Sequence, residues 1–143
     1  MALTLLTVFA ATAGYCLLIN VPRRLFLPAA AGGVLSWAAY LLLRAHIDSL
    51  FYLLILVGAV SAAYSELAAK LARAPATIFL IPALIPLVPG GYVYYMMSAL
   101  VQGNPDGMRR YGQLTAEWAF GLAAGICVVA VLHQIFSREK KPH

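Results

Sequence analysis

Between Thr77 and Met97 the chain reads TIFLIPALIPLVPGGYVYYMM, a run apolar enough to enter a bilayer and too rich in helix breakers to form one regular helix. Proline lacks the N–H a helix needs and clashes with the carbonyl four residues back, so Pro82, Pro86 and Pro89 each interrupt the ladder, and Gly90 and Gly91 loosen it further. A regular helix here would leave the carbonyls of Ile78, Pro82 and Ile85 without donors, along one stripe at helical spacing. In hydrocarbon each unsatisfied backbone group costs on the order of several kcal/mol, so that stripe must face protein or a wet cavity.

The rest of the chain decides which solvent applies. Its residues are 63% hydrophobic and 10% charged, with a mean hydropathy of +0.86, whereas soluble domains are about half apolar and about a quarter charged. That excludes an ordinary water-soluble domain. The pattern predicts an all-α integral membrane protein with one transmembrane domain and about five spans, near residues 1–19, 25–43, 50–68, 76–102 and 114–136, the fourth broken. Ala11-Thr12-Ala13 looks like a signal-peptide cleavage site. The stretch before it carries no Lys or Arg and the apolar run continues beyond it, so a retained first helix is expected.

The net charge of +5 does not point to nucleic acid, because the cations lie singly or in pairs between apolar runs, where they mark topology. With five crossings and an external N-terminus, Arg23, Arg24, Lys70, Arg73, Arg138, Lys140 and Lys141 fall on the cytoplasmic side and Arg44, Arg109 and Arg110 outside. A re-entrant 76–102 segment would give a more even split, so the positive-inside rule favours five crossings and a cytoplasmic C-terminus.

Two patches of small residues, Ala29-Ala30-Ala31-Gly32-Gly33 with Ser36, and Gly58-Ala59 with Ser61-Ala62-Ala63, offer faces for close helix approach, and Gly121 and Gly125 form a small-xxx-small pair. Glu66 and Lys70 stand four apart at the end of the third span and suit an ion pair at the membrane edge. Glu117 is expected in the first turn of the last span, where an acid favours the helix dipole. These two carboxylates are the candidates for proton coupling, since ionisable groups within spans are often functional. Cys16 and Cys127 read as packing thiols with no metal-ligand spacing, and His46 and His133 as polar-turn and interfacial residues. No HExxH, GxSxG, phosphate loop or closely spaced carboxylate pair is present, so an enzyme, a metal and a cofactor are not expected.

Past Pro89-Gly90-Gly91 a second half-helix is predicted to begin near Tyr92, with its first amides carrying the positive end of a dipole. Acceptors on one side of a break and donors on the other are how broken helices in secondary transporters hold charged groups. The candidate pathway is therefore Ile78, Pro82, Ile85, Pro86, Pro89, Gly90, Gly91, Tyr92 and Tyr95. The plainer reading is a kinked packing helix whose freed carbonyls are met by Ser, Thr or water.

The segment Ile81-Pro-Ala-Leu-Ile-Pro-Leu-Val-Pro-Gly90 resembles the signature of the threonine/serine exporter (ThrE-like) family, specifically its small five-helix subunit. Asn20-Val-Pro-Arg-Arg24 and Gly32-Gly33 with Trp37 are similar to that subunit too. The resemblance implies a bacterial inner-membrane component that works with a larger membrane subunit and exports a hydroxy amino acid or a small carboxylate with proton coupling. It supports Pro82, Pro86, Pro89 and Gly90 as motif positions and implies no catalytic residue. A structural or assembly subunit and a homo-oligomeric channel are the alternatives.

Overall fold

The computed structural model describes residues 2–138, and over these the chain forms helices joined by short connections. Helix α1 is Ala2–Leu18, α2 Arg23–Arg44, α3 Leu50–Ala72, α4 Thr77–Leu84, α5 Gly90–Val101 and α6 Pro105–Arg138, with a single 3-10 turn, Ile85–Leu87, after α4. The expected basic tail beyond Arg138 lies outside the described residues. Helices α2, α3 and α6 are long and apolar enough to cross a membrane, and α4 with its 3-10 turn and α5 make a fourth candidate span bent by 50°. Helix α1, at 17 residues, is a shorter apolar helix at the lower limit for crossing.

Local chemistry explains most of the boundaries. Asn20 ends α1 in the left-handed region (φ 53°), and Pro22 sits at the N-cap of α2. The last helix begins at Pro105, not near residue 114 as expected. Proline suits the first helical position, and the Asn104 side-chain oxygen accepts from the Gly107 amide at 3.0 Å, so the turn-rich run is a helix start. Glu117 consequently lies well inside α6, far from its first turn, and the capping role does not apply.

The small-residue faces are consumed inside the chain. A Cβ on Gly125 would collide with the Ile55 carbonyl, and one on Gly58 would stand 2.7 Å from the Leu122 carbonyl oxygen, so α3 and α6 meet backbone to backbone. Gly33 likewise admits Thr12 of α1. Helices α2 and α3 are joined by buried serines, with Ser36 Oγ 2.8 Å from Ser61 Oγ while each also bonds to the carbonyl one turn back. Helix α4 packs on α2 and α3, whereas among the described residues α5 approaches only α6.

Two apolar clusters result. One gathers Cys16, Leu25, Ala29, Ala68, Ala69 and Phe79 where α1 ends and α2 begins. The other gathers Tyr40, Leu53, Leu54, Val57, Leu87, Trp118 and Leu122 around the helix break. Cys16 is buried as expected and Cys127 is exposed on α6.

Candidate functional site

Pro82, inside α4, and Pro86, in the 3-10 turn, bring the helix to its end, and the chain leaves the α conformation at Val88 (φ −66°, ψ 127°) before Pro89 caps α5. The break is tighter than the sequence predicts, because the second half-helix starts at Gly90 and not near Tyr92. Two of the three carbonyls expected to be orphaned find donors three residues on. The Ile85 amide donates to the Pro82 carbonyl, and the Val88 amide to the Ile85 carbonyl at 3.3 Å. Switching from i+4 to i+3 bonding satisfies these groups within the segment itself.

A different carbonyl takes an outside partner. The Leu87 carbonyl accepts from the indole N–H of Trp118 on α6 at 2.5 Å, and Trp118 is buried. The donor is neither Ser, Thr nor water, and it comes from a residue 31 positions away. Around it runs a chain of rings: Trp37 stacks on Tyr40 with centroids 5.2 Å apart, Tyr40 meets Trp118 at 5.6 Å, and Trp118 meets Tyr92 at 5.5 Å. Arg44 fixes Tyr40 from the α2 end, its Nη1 donating to the phenolic oxygen at 2.6 Å.

These groups border a cavity of about 300 Å³ lined by Trp37, Pro86, Val88, Pro89, Gly91, Tyr92, Tyr95 and Trp118. Of the pathway candidates, Pro86, Pro89, Gly91, Tyr92 and Tyr95 line it. Pro82 is buried against neighbouring helices, Ile78 packs on the cluster at the start of α2, and Ile85 and Gly90 are not among the lining residues. Trp37 supplies a feature that the breaker pattern did not reveal. Its Nε1 atom is buried and has no hydrogen-bond partner among the described residues. The chain contains two tryptophans, and a buried indole N–H requires an acceptor, which is the signal that could have drawn attention to both.

The carboxylates lie elsewhere. Glu66 Oε2 is 3.4 Å from His133 Nδ1 on α6, and among the described residues no bridge to Lys70 forms, so the expected intrahelical pair is replaced by a contact between helices. Glu117 is exposed on the α6 surface. Among the described residues no cluster of three His, Cys, Asp or Glu suited to a metal is found.

The family described as Threonine/Serine exporter, ThrE, matches residues 4–132, which takes in α2 to α5 entire, most of α1 and α6, and the whole break. The chain belongs to the threonine/serine exporter (ThrE) family. Membership makes the chain one of a family of membrane transport proteins, in agreement with the family resemblance read from the sequence. No curated protein and no solved structure matches this ThrE-family chain.

Proposed function

We propose that the chain is the small membrane subunit of a two-component secondary exporter, proton-coupled, which moves threonine, serine or a comparably small polar carboxylate. The observation that carries this reading is the cavity at the break. It sets the Trp37 indole beside the first turn of α5, whose amides carry the positive end of a helix dipole, and it is bordered by the phenols of Tyr92 and Tyr95. Such an arrangement suits a carboxylate acceptor and an amino-acid side chain with a hydroxyl, in a space that admits only a small solute.

A second membrane protein is part of the proposal for a physical reason. Glu117 stands exposed on an apolar helix, near Phe120, which is 70% exposed. A carboxylate facing lipid is costly, and a neighbouring subunit offering a donor or cation removes that cost. Glu66 and Glu117 are the carboxylates assigned to proton coupling.

Efflux decides the matter. The chain is produced alone and together with the larger family subunit in cells loaded with a threonine- or serine-containing peptide, and the released amino acid is followed with time. Efflux that requires both chains and an imposed proton gradient is the expected result. Efflux from this chain alone overturns the obligate-partner reading, and no efflux of any hydroxy amino acid or small carboxylate from the pair overturns the transport reading.

A further inference from the structure

A second groove lies remote from the break. It has a volume of about 630 Å³ and runs between the first turns of α2 and the last turns of α3. Its mouth is set with Arg24 and Arg73, and its outer wall is formed by Leu67 and Leu71, which are 59% and 79% exposed. Its floor is closed by Tyr64, whose hydroxyl donates to the Pro28 carbonyl at 2.6 Å, so the polar atoms there are already paired.

Charge is distributed along this groove in one direction. No acidic residue lines it; Glu66 borders the adjoining hollow, which Lys70 and Arg73 also line, and is engaged with His133. Arg24 spends one N–H on the Ala72 carbonyl at 3.3 Å, which leaves the guanidinium plane held across the mouth with donors to spare. Arg73 sits at the left-handed C-cap of α3 (φ 51°), at the same end of the groove. The cations mark a polar end and the leucines an apolar one, which is the chemistry of a headgroup phosphate followed by an acyl chain.

We propose that this groove binds an anionic glycerophospholipid, with its phosphate between Arg24 and Arg73 and an acyl chain along Leu67 and Leu71. A second copy of the chain is a poorer occupant, because a two-fold contact on this face would set the same arginines against one another. Free inorganic phosphate finds no reason to prefer a site whose floor and wall are apolar.

The test uses the full chain in a mild detergent, titrated with phosphatidylglycerol or phosphatidylcholine and read by native mass spectrometry. Phosphatidylglycerol is expected to bind the wild-type chain more tightly than phosphatidylcholine. R24Q/R73Q should weaken its binding roughly thirtyfold, at the usual contribution of two basic residues near an anionic headgroup. L71W keeps both cations and fills the groove, and it should also reduce binding. R109Q/R110Q, which removes a cation pair on α6, should leave binding unchanged. Equal binding of the two lipids overturns the proposal. So does an R24Q/R73Q variant with wild-type affinity, a loss in R109Q/R110Q as large as that in R24Q/R73Q, or undiminished binding in L71W. A dimer that R24Q/R73Q strengthens and that excludes lipid assigns the groove to a second copy instead.

Discussion

The indole N–H of Trp118 donates to the carbonyl of Leu87 across 2.5 Å, tying the middle of the last helix to the point where the broken span gives up its ladder. The bond satisfies a backbone group that neither α4 nor α5 can serve, and it sets the Trp118 ring between Tyr40 and Tyr92. Removing the donor tests its worth. Trp118→Phe keeps an aromatic ring and leaves the Leu87 carbonyl buried and unpaired, so the protein should lose about 1–3 kcal/mol of stability. Thermal unfolding in detergent measures this, and an unchanged midpoint would mean that another donor reaches the carbonyl.

The α3–α6 contact has no room for side chains at its glycines. Gly125→Val places a branched side chain against the Ile55 carbonyl, and the resulting separation of the helices should cost more than the roughly 1–3 kcal/mol of ordinary overpacking. The variant should fail to accumulate in membranes. Gly14→Ala is the matched control, since a Cβ there meets nothing within 4 Å and alanine is the better helix former by about 0.5–1 kcal/mol. Immunoblotting of membrane fractions distinguishes the two.

A Cβ at Gly91 also meets nothing within 4 Å, yet Gly91 lines the break cavity. Gly91→Leu should therefore assemble at normal abundance while filling the space offered to a solute, and efflux should fall by about tenfold or more. Normal efflux from a normally abundant Gly91→Leu protein would move the substrate pathway away from this cavity.

Trp37→Phe removes the one buried indole N–H without a partner among the described residues. An unpaired buried donor adds nothing to stability, so stability should stay level or rise slightly, and an apparent KM for efflux about tenfold higher, the value of one hydrogen bond of roughly 1.4 kcal/mol, would assign the donor to substrate. A stability loss with unaltered KM would show that Trp37 serves packing alone.

Glu66→Gln preserves size and hydrogen bonding and removes the charge that faces His133. If Glu66 carries the coupled proton, efflux by the variant becomes insensitive to an imposed pH gradient. Gradient dependence that survives in Glu66→Gln and vanishes in Glu117→Gln assigns the coupling to the exposed α6 carboxylate.

Much of the architecture was legible in the amino-acid order, because breakers and cations punctuate the apolar runs. Asn20-Val-Pro22-Arg-Arg24 ends one helix and starts the next as expected, and the Gly121–Gly125 pair does meet another backbone. The start of α6 is hidden in the sequence because the composition of Gly103–Gly107 resembles a loop, while its geometry is that of an Asn cap followed by proline at the first helical position. With the helix starting at Pro105, Glu117 falls in mid-helix and not in a first turn. At the break, the proline rule identifies which helical bonds are lost, but it does not say that the chain tightens into i+3 bonds, nor that Trp118 is the donor to Leu87. Contacts between residues 31 apart, such as that one, or between Glu66 and His133, depend on how helices rotate about their axes, which periodicity leaves open.

Helix α5 is attached unevenly. Its backbone leans on α6 and on nothing else among the described residues, while the other half of the broken span is wedged between α2 and α3. Its grip on α6 includes the ring pairs Tyr92–Trp118 and Tyr95–Tyr111. The opposite side of α5 presents Val93, Met97 and Val101 outward, the last 85% exposed. One wall of the cavity is thus held by a single helix contact and its aromatic pairs, just past the break at Val88–Pro89. The shape of that wall therefore depends on the α5–α6 contact alone, and not on the glycine seam between α3 and α6.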